Sequence, residues 1–371
     1  MILKTLEMTN FRNYESEEIV FHEKINILTG KNAQGKTNMI EAVNLLALGK
    51  SFRTRKEQEL VRFGAGEARV KGVFEKKDRP HTTEIKLYSG VSGKKTYIVN
   101  GLETKTVSDL LGGVYTIVFS PEDLRIVKGE PEARRRFLDR EIILQRPLYY
   151  HKLKRYRDAL KTRNALLKRD KVLYDLLDVY DEQLSAAAAE VMKERSIWLR
   201  SLSAAAESAG LMITGGSEKL NVKYKPHFAW MEETDGKEGN YAKEAILEAM
   251  LKGRERDILM RSTESGPHRD DFAIYASGLD LRVYGSQGQQ RTAALSLRLA
   301  ERELIKKETG EDAILLLDDV MSELDTNRQE RLLDSFGENQ IFITAAGPFR
   351  DEALKLRAVK VMRIENGKLD F

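Results

Sequence analysis

The stretch of sequence that decides the fold is Gly30-Lys31-Asn32-Ala33-Gln34-Gly35-Lys36-Thr37. These eight residues fit the pattern GxxxxGK(S/T), a glycine loop whose backbone amides point into one concavity that cradles phosphate groups. Lys36 is expected to reach the β and γ phosphates of a nucleotide, and the Thr37 hydroxyl is expected to ligate Mg²⁺. Strand-like apolar residues precede the loop, and apolar residues at helical spacing follow it. The stretch therefore predicts a nucleotide site between a strand and a helix.

A second part of this chemistry is an apolar run that ends in two acids, Ile314-Leu315-Leu316-Leu317-Asp318-Asp319. In a phosphate-loop protein the first acid, Asp318, belongs to the magnesium shell, and Asp319 is placed to orient or deprotonate the attacking water. Many buried strands end in an aspartate, so the run is informative only together with its neighbours. Lys36, Asp318 and Asp319 are the predicted catalytic residues, and Thr37 and Asp318 are the predicted metal ligands.

A small-residue turn and a polar loop flank the acidic strand. The turn Gly285-Ser286-Gln287-Gly288-Gln289-Gln290-Arg291 opens the helix that leads to the strand, and Ser322-Glu323-Leu324-Asp325 follows the strand. In this order of elements the sequence resembles the ABC-type ATPase heads of the SMC group. The resemblance implies that Ser286, Gln287, Gly288 and Gln289 form a signature element that closes on the nucleotide of a second head.

The same resemblance implies roles for two further residues. Asp325 would lie in the loop that couples the two heads, and Thr344 occupies the place where many such heads have a γ-phosphate-sensing histidine. Gln287 departs from the usual Leu-Ser-Gly-Gly-Gln pattern, in which a glycine stands at its position. The hypothesis is that the local backbone differs there and that ATP turnover is slow.

Four more stretches narrow the resemblance to the RecF family, namely residues 6–14, 49–54, 121–139 and 266–272. The likeness covers the chain from end to end and is weakest over residues 176–256. By position, it adds Arg12 and Asn13 to the predicted ATP-binding residues of the glycine loop.

The RecF resemblance implies a function in DNA repair, recombination, replication and the SOS response. An ATP-dependent homodimer would clamp duplex DNA next to single-strand gaps, at single-strand/double-strand junctions, as a weak DNA-dependent ATPase. With RecO and RecR it would assist the loading of RecA. Two alternatives stay open: the ATPase subunit of a transporter, which shares the order of elements, and a small-molecule P-loop kinase, which needs no second protomer.

Basic residues beyond the glycine loop form a candidate DNA surface. Lys50, Arg53, Arg55 and Lys56 are interleaved with Phe52 and suit contact with a phosphate backbone. A solvated loop, or an arginine that faces the nucleotide, explains them equally well. The run His268-Arg269-Asp270-Asp271 suggests a metal or hydrolase site, but a lone histidine beside an arginine is more often structural.

The composition excludes several classes of function. The 371 residues include 62 Lys and Arg against 58 Asp and Glu, so affinity for a polyanion must depend on how charge is distributed. The chain has no cysteine, which excludes disulfides, cysteine-ligated zinc, iron–sulfur clusters and thiol catalysis. Charged residues interrupt the N-terminal apolar stretch, and no apolar run approaches roughly 18 residues. A cytoplasmic protein without a membrane partner is expected, and the RecF resemblance implies association with the nucleoid.

The predicted fold class is α/β: an ABC-type P-loop ATPase head with a mixed sheet, an antiparallel β region and an inserted helical domain with short coiled-coil-like arms. The predicted domains are a first head lobe over residues 1–120, the helical arm domain over 121–260 and a second head lobe over 261–371. Strand-like stretches between residues 68 and 119, including 115–119, are assigned to the antiparallel region.

The arms are predicted as two helical limbs over residues 132–168 and 171–209. Each would be about 55 Å long, with a bend possible at Pro147. Residues 134–171 contain 14 Lys and Arg and 4 Asp and Glu, a net charge of +10, whereas residues 172–194 carry a net charge of −5. A solvated helix pair held by cross-charges and a polyanion-binding face both explain this division.

Overall fold

The computed structural model describes residues 1–54, 56–77, 79–90, 95–171, 173–228, 242–346 and 359–370. The chain forms two compact units: a first unit of residues 1–123 and 301–371, and a second unit of residues 124–300. The division into domains 1–120, 121–260 and 261–371 stays a prediction. Among the helices in the described ranges, none is both long and apolar enough to cross a membrane.

The secondary structure alternates between sheet-forming and helical stretches. The described strands are β1 (Ile2–Phe11), β2 (Tyr14–Val20), β3 (Ile25–Gly30), β4 (Glu67–Lys76), β5 (Arg79–Tyr88), β6 (Lys95–Val99), β7 (Leu102–Thr104), β8 (Thr116–Phe119), β9 (Leu220–Lys225), β10 (Asp271–Ala276), β11 (Leu279–Asp280), β12 (Ile314–Leu317), β13 (Ile341–Ala346), β14 (Val359–Glu365) and β15 (Lys368–Asp370). The described α-helices are α1 (Lys36–Leu48), α2 (Leu124–Lys128), α3 (Pro131–Gln145), α4 (Leu148–Leu167), α5 (Tyr174–Thr214), α6 (Lys243–Met260), α7 (Leu281–Tyr284), α8 (Gln287–Thr309) and α9 (Thr326–Ser335).

The core of the first unit is a mixed sheet in the order β15-β14-β3-β13-β12-β8. Its strands are parallel except for the edge strand β15. The assignment of residues 115–119 to the antiparallel region was wrong, because β8 pairs in parallel with β12. All four residues of β8 are buried, as is usual for a parallel strand that is covered on both faces.

The second sheet of the first unit is antiparallel, in the order β2-β1-β4-β5-β6-β7. Its β6–β7 hairpin turns at Asn100 and Gly101, whose φ angles of +50° and +81° are those of a two-residue Asn-Gly hairpin turn. Helix α1 contacts strands of both sheets. Because α1 is covered on both sides, it is apolar around most of its circumference. The phosphate loop ends at the N-terminus of this buried helix and is therefore attached to a rigid element.

The second unit contains the predicted helical limbs and a small sheet in the order β11-β10-β9. The first limb is two helices, α3 and α4, because the chain bends at Arg146 and Pro147. The second limb, α5, has 41 residues and is therefore about 60 Å long. Strand β9 has no counterpart among the elements predicted from the sequence.

Two of the stretches that carry the RecF resemblance contact each other within the second unit. Arg134 forms a bidentate ion pair with Asp271, with nitrogen–oxygen distances of 2.6 and 2.8 Å. Arg135 donates a hydrogen bond to the Asp270 carbonyl oxygen at 2.7 Å, while Arg136 is exposed. The arginine run therefore braces the start of β10, and only two of its three members share that contact.

His268 is a structural residue of the second unit. Its Nε2 donates to the Thr263 carbonyl oxygen at 2.9 Å, and its Nδ1 lies 2.5 Å from the Tyr156 hydroxyl, which donates to it. Over the described ranges, no three His, Asp or Glu side chains group as they would around a metal ion. Burial lowers the pKa of His268 from 6.5 to about 4, because the charged imidazolium is poorly solvated there.

Acid is expected to destabilise the protein partly through His268. Between pH 6.5 and pH 4 the unfolded chain binds a proton at this residue and the folded chain does not, so stability falls as the pH falls. The expected loss from this residue is about 2–3 kcal/mol between pH 7 and pH 4. Urea unfolding of the wild type and of His268→Gln at both pH values measures it. Equal losses in the two proteins would contradict the prediction.

Candidate nucleotide site

The phosphate loop connects β3 to α1 through two glycines that cannot be replaced without strain. Gly30 has a φ of +147°, and a Cβ there would lie 2.3 Å from the Ile364 carbonyl oxygen of β14. Gly35 has a φ of +121°, and a Cβ there would lie 2.8 Å from Asn13 Nδ2. The loop leads directly into α1, whose first backbone amides open toward it. A helix N-terminus with this approach favours anionic groups.

The side chain of Lys36 lies inside the loop. Its Nζ donates hydrogen bonds to the carbonyl oxygens of Gly30 and Lys31, at 2.5 and 2.9 Å. Burial lowers the pKa of Lys36, and the nearby charges of Asp319 and Asp318 oppose that effect. The ammonium group is thus partly desolvated and is placed among backbone groups that a phosphate would contact.

Thr37 and Asp318 bring two oxygen ligands together at the end of the loop. Thr37 Oγ1 donates to Asp318 Oδ1 at 2.9 Å, and Thr344 Oγ1 donates to the same oxygen at 3.1 Å. Burial raises the pKa of Asp318, although both hydrogen bonds oppose the increase. A hydroxyl and a carboxylate at this distance are the hard oxygen ligands that Mg²⁺ prefers, so the residues present fit the predicted metal.

Asp319 differs from its neighbour because it is exposed. Its φ of +57° turns the chain sharply after β12, and its backbone N–H donates to Thr344 Oγ1 at 2.9 Å. Ser322 Oγ donates to Asp319 Oδ1 at 3.2 Å. The Thr344 hydroxyl is therefore hydrogen-bonded to both acids. Asp319 presents a solvent-accessible carboxylate beside Asp318.

Side chains outside the motif hold the loop in place, and sequence reasoning missed most of them. Asn13 Nδ2 donates to the Gln34 carbonyl oxygen at 2.8 Å, and the Tyr14 hydroxyl donates to the Gly35 carbonyl oxygen at 2.9 Å. The backbone N–H of Asn366, in the β14–β15 turn, donates to Gln34 Oε1 at 2.6 Å. Asn13 was predicted as an ATP-binding residue, and in the structure its side chain is hydrogen-bonded to the backbone of the loop.

A buried acid joins two of the predicted basic residues. Glu41 accepts a bidentate ion pair from Arg12 at 2.7 and 2.8 Å, and Arg12 also donates to the Glu59 carbonyl oxygen. Arg53 donates to Asn38 Oδ1 at 2.8 Å and lies 3.5 Å from Glu41. The signal in the sequence that could have indicated this cluster is Glu41, the only acid of α1, whose side chain is fully buried in the structure.

Arg12, Asn13, Asn38 and Arg53 are among the polar residues that line a cleft with a volume of about 660 Å³ in the first unit. Val61 and the fully exposed Phe63 are among its apolar lining residues. The cleft begins beside the first turn of α1, because Asn38 belongs to that turn.

Two other predicted DNA-binding residues, Lys50 and Lys56, do not join this cluster. Lys50 and Lys56 are exposed, and Arg55 lies outside the described residues. The contacts of Arg53 support the alternative in which this arginine faces the nucleotide side of the head.

The predicted signature residues open α8 as a capping box. Ser286 Oγ accepts a hydrogen bond from the Gln289 N–H at 3.2 Å, and the Ser286 N–H donates to Gln289 Oε1 at 3.0 Å. Ser286, Gln287 and Gly288 are exposed. A Cβ at Gly288 would meet only Ser286 Oγ, at 4.0 Å, so packing within this chain does not require a glycine there. Gln287 lies in a regular first helical turn, and its effect on turnover stays a prediction.

Asp325 caps α9 in the loop after the acidic strand. Its Oδ1 accepts a hydrogen bond from the Arg328 N–H at 3.0 Å, while the side chain remains largely exposed. An exposed acid at a helix N-terminus is available for contact with another molecule. Its predicted place in a coupling loop is compatible with this position.

Fold and site together define an ABC-type P-loop ATPase head, with a phosphate loop, an acidic strand and a signature-like helix start. A family model described as the RecF/RecN/SMC N-terminal domain matches residues 2–367. A relative from Clostridium novyi (strain NT), named DNA replication and repair protein RecF, is 40% identical over 370 residues and covers both chains completely. Its counterpart from Halalkalibacterium halodurans is 41% identical, with 100% of this chain and 99% of the relative covered. The chain belongs to the RecF family.

Solved structures agree with this assignment. The structure of the recombination mediator protein RecF with ATP in the RecFOR pathway matches with a TM-score of 0.90 and 36% identity, covering 100% of this chain and 97% of that one. The Smc head bound to the C-winged helix domain of ScpA matches with a TM-score of 0.55 at 17% identity, covering 100% and 98%, and shows the fold alone. The predicted fold class and the RecF resemblance are confirmed.

Proposed function

We propose that this chain is a DNA-repair ATPase in which ATP joins two copies on duplex DNA. The observation that carries the proposal is the convergence of Lys36, Thr37, Asp318 and Asp319 on one phosphate loop. Relatives named for DNA replication and repair, and a RecF structure with ATP, support it. Family membership favours this function over a transporter subunit or a small-molecule kinase.

The residues of the first unit would bind and cleave ATP. The loop amides and Lys36 would bind the β and γ phosphates, and the adenosine would extend into the cleft beside Asn38. Thr37 and Asp318 would hold Mg²⁺, which when bound neutralises phosphate charge. Asp319 would accept the proton of the attacking water, because its carboxylate is exposed beside Asp318.

The signature turn would complete the site of a second copy. Ser286 and the first amides of α8 face solvent, and Gly288 leaves open space in front of them. A γ phosphate bound by one copy would therefore fit against this helix start of the other. Thr344, which touches both acids, and the exposed Asp325 would link the state of the nucleotide to the dimer contact.

The dimer would act on DNA at single-strand gaps. Hydrolysis would be slow and stimulated by DNA, and loss of the γ phosphate contacts would separate the two copies and release the duplex. With RecO and RecR, the clamp would assist RecA loading in the cytoplasm, in association with the nucleoid. Lys50 and Lys56, both exposed, are candidate contacts with the phosphate backbone.

ATP turnover measured against protein concentration tests this function. We expect the rate to rise more steeply than linearly in dilute protein, because each complete site needs two copies, and to increase when duplex DNA is added. The Lys36→Ala variant provides the background rate. A rate that is linear in protein, indifferent to DNA and accompanied by phosphate transfer to a small molecule would contradict the proposal.

A further inference from the structure

The solvent side of helix α4 carries a row of four cations: Lys154, Arg157, Lys161 and Lys168, the last being the residue that caps the helix. At 100° per residue, these positions fall within an arc of roughly 60°. All four side chains are exposed. From Lys154 to Lys168 the row extends about 21 Å along the helix axis.

The other cations of α4 are neutralised by α5. Lys152 pairs with Glu194 at 2.6 Å, and Arg155 pairs with Glu190 at 3.3 Å. These contacts support one of the two explanations given for the charge division, namely cross-charges between the limbs. They explain only part of the positive charge, because they involve the side of α4 that faces its neighbour.

The row itself retains its charge. Within the described parts of the chain, no carboxylate pairs with Lys154, Lys161 or Lys168. Arg157 lies 3.2 Å from Asp139, but that aspartate is also bound by the buried Arg195 at 2.9 Å. Four cations on one face, with little compensation, form a linear positive surface.

We propose that this row binds the phosphate backbone of duplex DNA, an inference that rests on the proposed function. Over the length of the row, the exposed residues that flank it are Asp158 and Ala165, so this length of the helix offers no large apolar anchor. Tyr150, one turn before Lys154, is half-buried and packs against the ring of His151. Stable protein interfaces are depleted in lysine and use apolar or aromatic anchors, whereas a phosphate backbone requires only cations. A length of about 21 Å corresponds to roughly six base pairs of B-form DNA.

The salt dependence of duplex binding tests the row. In the full-length protein with ATP, Lys154→Gln/Lys161→Gln/Lys168→Gln should reduce the slope of log K against log salt by about 2.7, because each lost phosphate contact removes about 0.9. At 0.1 M salt the affinity should fall at least about tenfold. Three other exposed lysines supply a matched control, Lys128→Gln/Lys193→Gln/Lys307→Gln, for which the slope should change by less than about 1.

The outcomes separate the row from the function on which it rests. Wild-type protein that does not bind duplex DNA with ATP would overturn the proposed function. If the wild type binds duplex DNA and the triple variant shows the same slope of log K against log salt, the proposed role of the row is wrong, while the proposed function stands. Polyglutamate serves as a probe for an acidic protein partner. If the triple variant loses binding to polyglutamate but binds duplex DNA like the wild type, the row binds an acidic protein and not DNA. Helix content and a thermal unfolding transition like those of the wild type show that the variant is folded; if the triple variant does not fold, Lys161→Gln alone should lower the slope by about 0.9.

Discussion

Replacing Ser286 with arginine is expected to reduce ATP turnover at least about 100-fold while ATP binding persists. Ser286 is exposed and caps α8, so the variant loses the hydroxyl and places a bulky cation at the helix start. The phosphate loop belongs to the other compact unit and is untouched. Steady-state turnover and binding of a fluorescent ATP analogue measure the two properties separately.

Two controls make this prediction specific. Ser286→Thr keeps a hydroxyl that can cap the helix, so it should retain most of the activity. An equal mixture of Ser286→Arg and Lys36→Ala should regain activity, because a mixed dimer contains one intact composite site. With random pairing, the mixture should reach about a quarter of the wild-type rate. Turnover retained by Ser286→Arg alone would contradict the two-copy site.

Replacing Lys36 with alanine is expected to weaken ATP binding at least about 100-fold and to abolish ATP-dependent DNA binding. The ammonium group is enclosed by the loop carbonyls, and hydrogen bonds to charged groups contribute roughly 1.5–3 kcal/mol each. Isothermal titration with ATP and a duplex-binding assay with and without ATP measure both effects.

Lys31→Ala is the matched control for Lys36→Ala. Lys31 lies in the same loop, but its side chain is exposed and only its backbone carbonyl contacts Lys36. Its removal should change ATP affinity by less than about tenfold. ATP-dependent duplex binding that survives in Lys36→Ala would mean that nucleotide and DNA binding are not linked.

Local patterns were sufficient to predict the parts of the site that are contiguous in sequence. The phosphate loop lies between β3 and α1 as expected, and β12 ends at the two acids. Helix α9 begins at Thr326, directly after Asp325, because Asp325 supplies its N-cap. In each case the residues that determine the structure lie within one element or its cap.

Contacts between distant residues could not be predicted in this way. Asn13, in the β1–β2 turn, and Tyr14, the first residue of β2, donate hydrogen bonds to carbonyl oxygens of the loop. Asn366 contacts Gln34 across 332 positions of sequence. Nothing in the periodicity of either segment indicates its partner. The misplaced β8 has the same cause, since a short buried strand does not reveal the sheet to which it belongs.

The order of strands in the mixed sheet has a consequence for biosynthesis. Both neighbours of β3, the strand that presents the phosphate loop, come from residues 341–365, and β12 and β13 separate β3 from β8. A nascent chain that has reached only residue 123 therefore exposes unpaired strand edges, which invite aggregation. Pairing must wait until the second unit has been synthesised, so the protein acquires the capacity to bind nucleotide late, and high contact order makes that step slow.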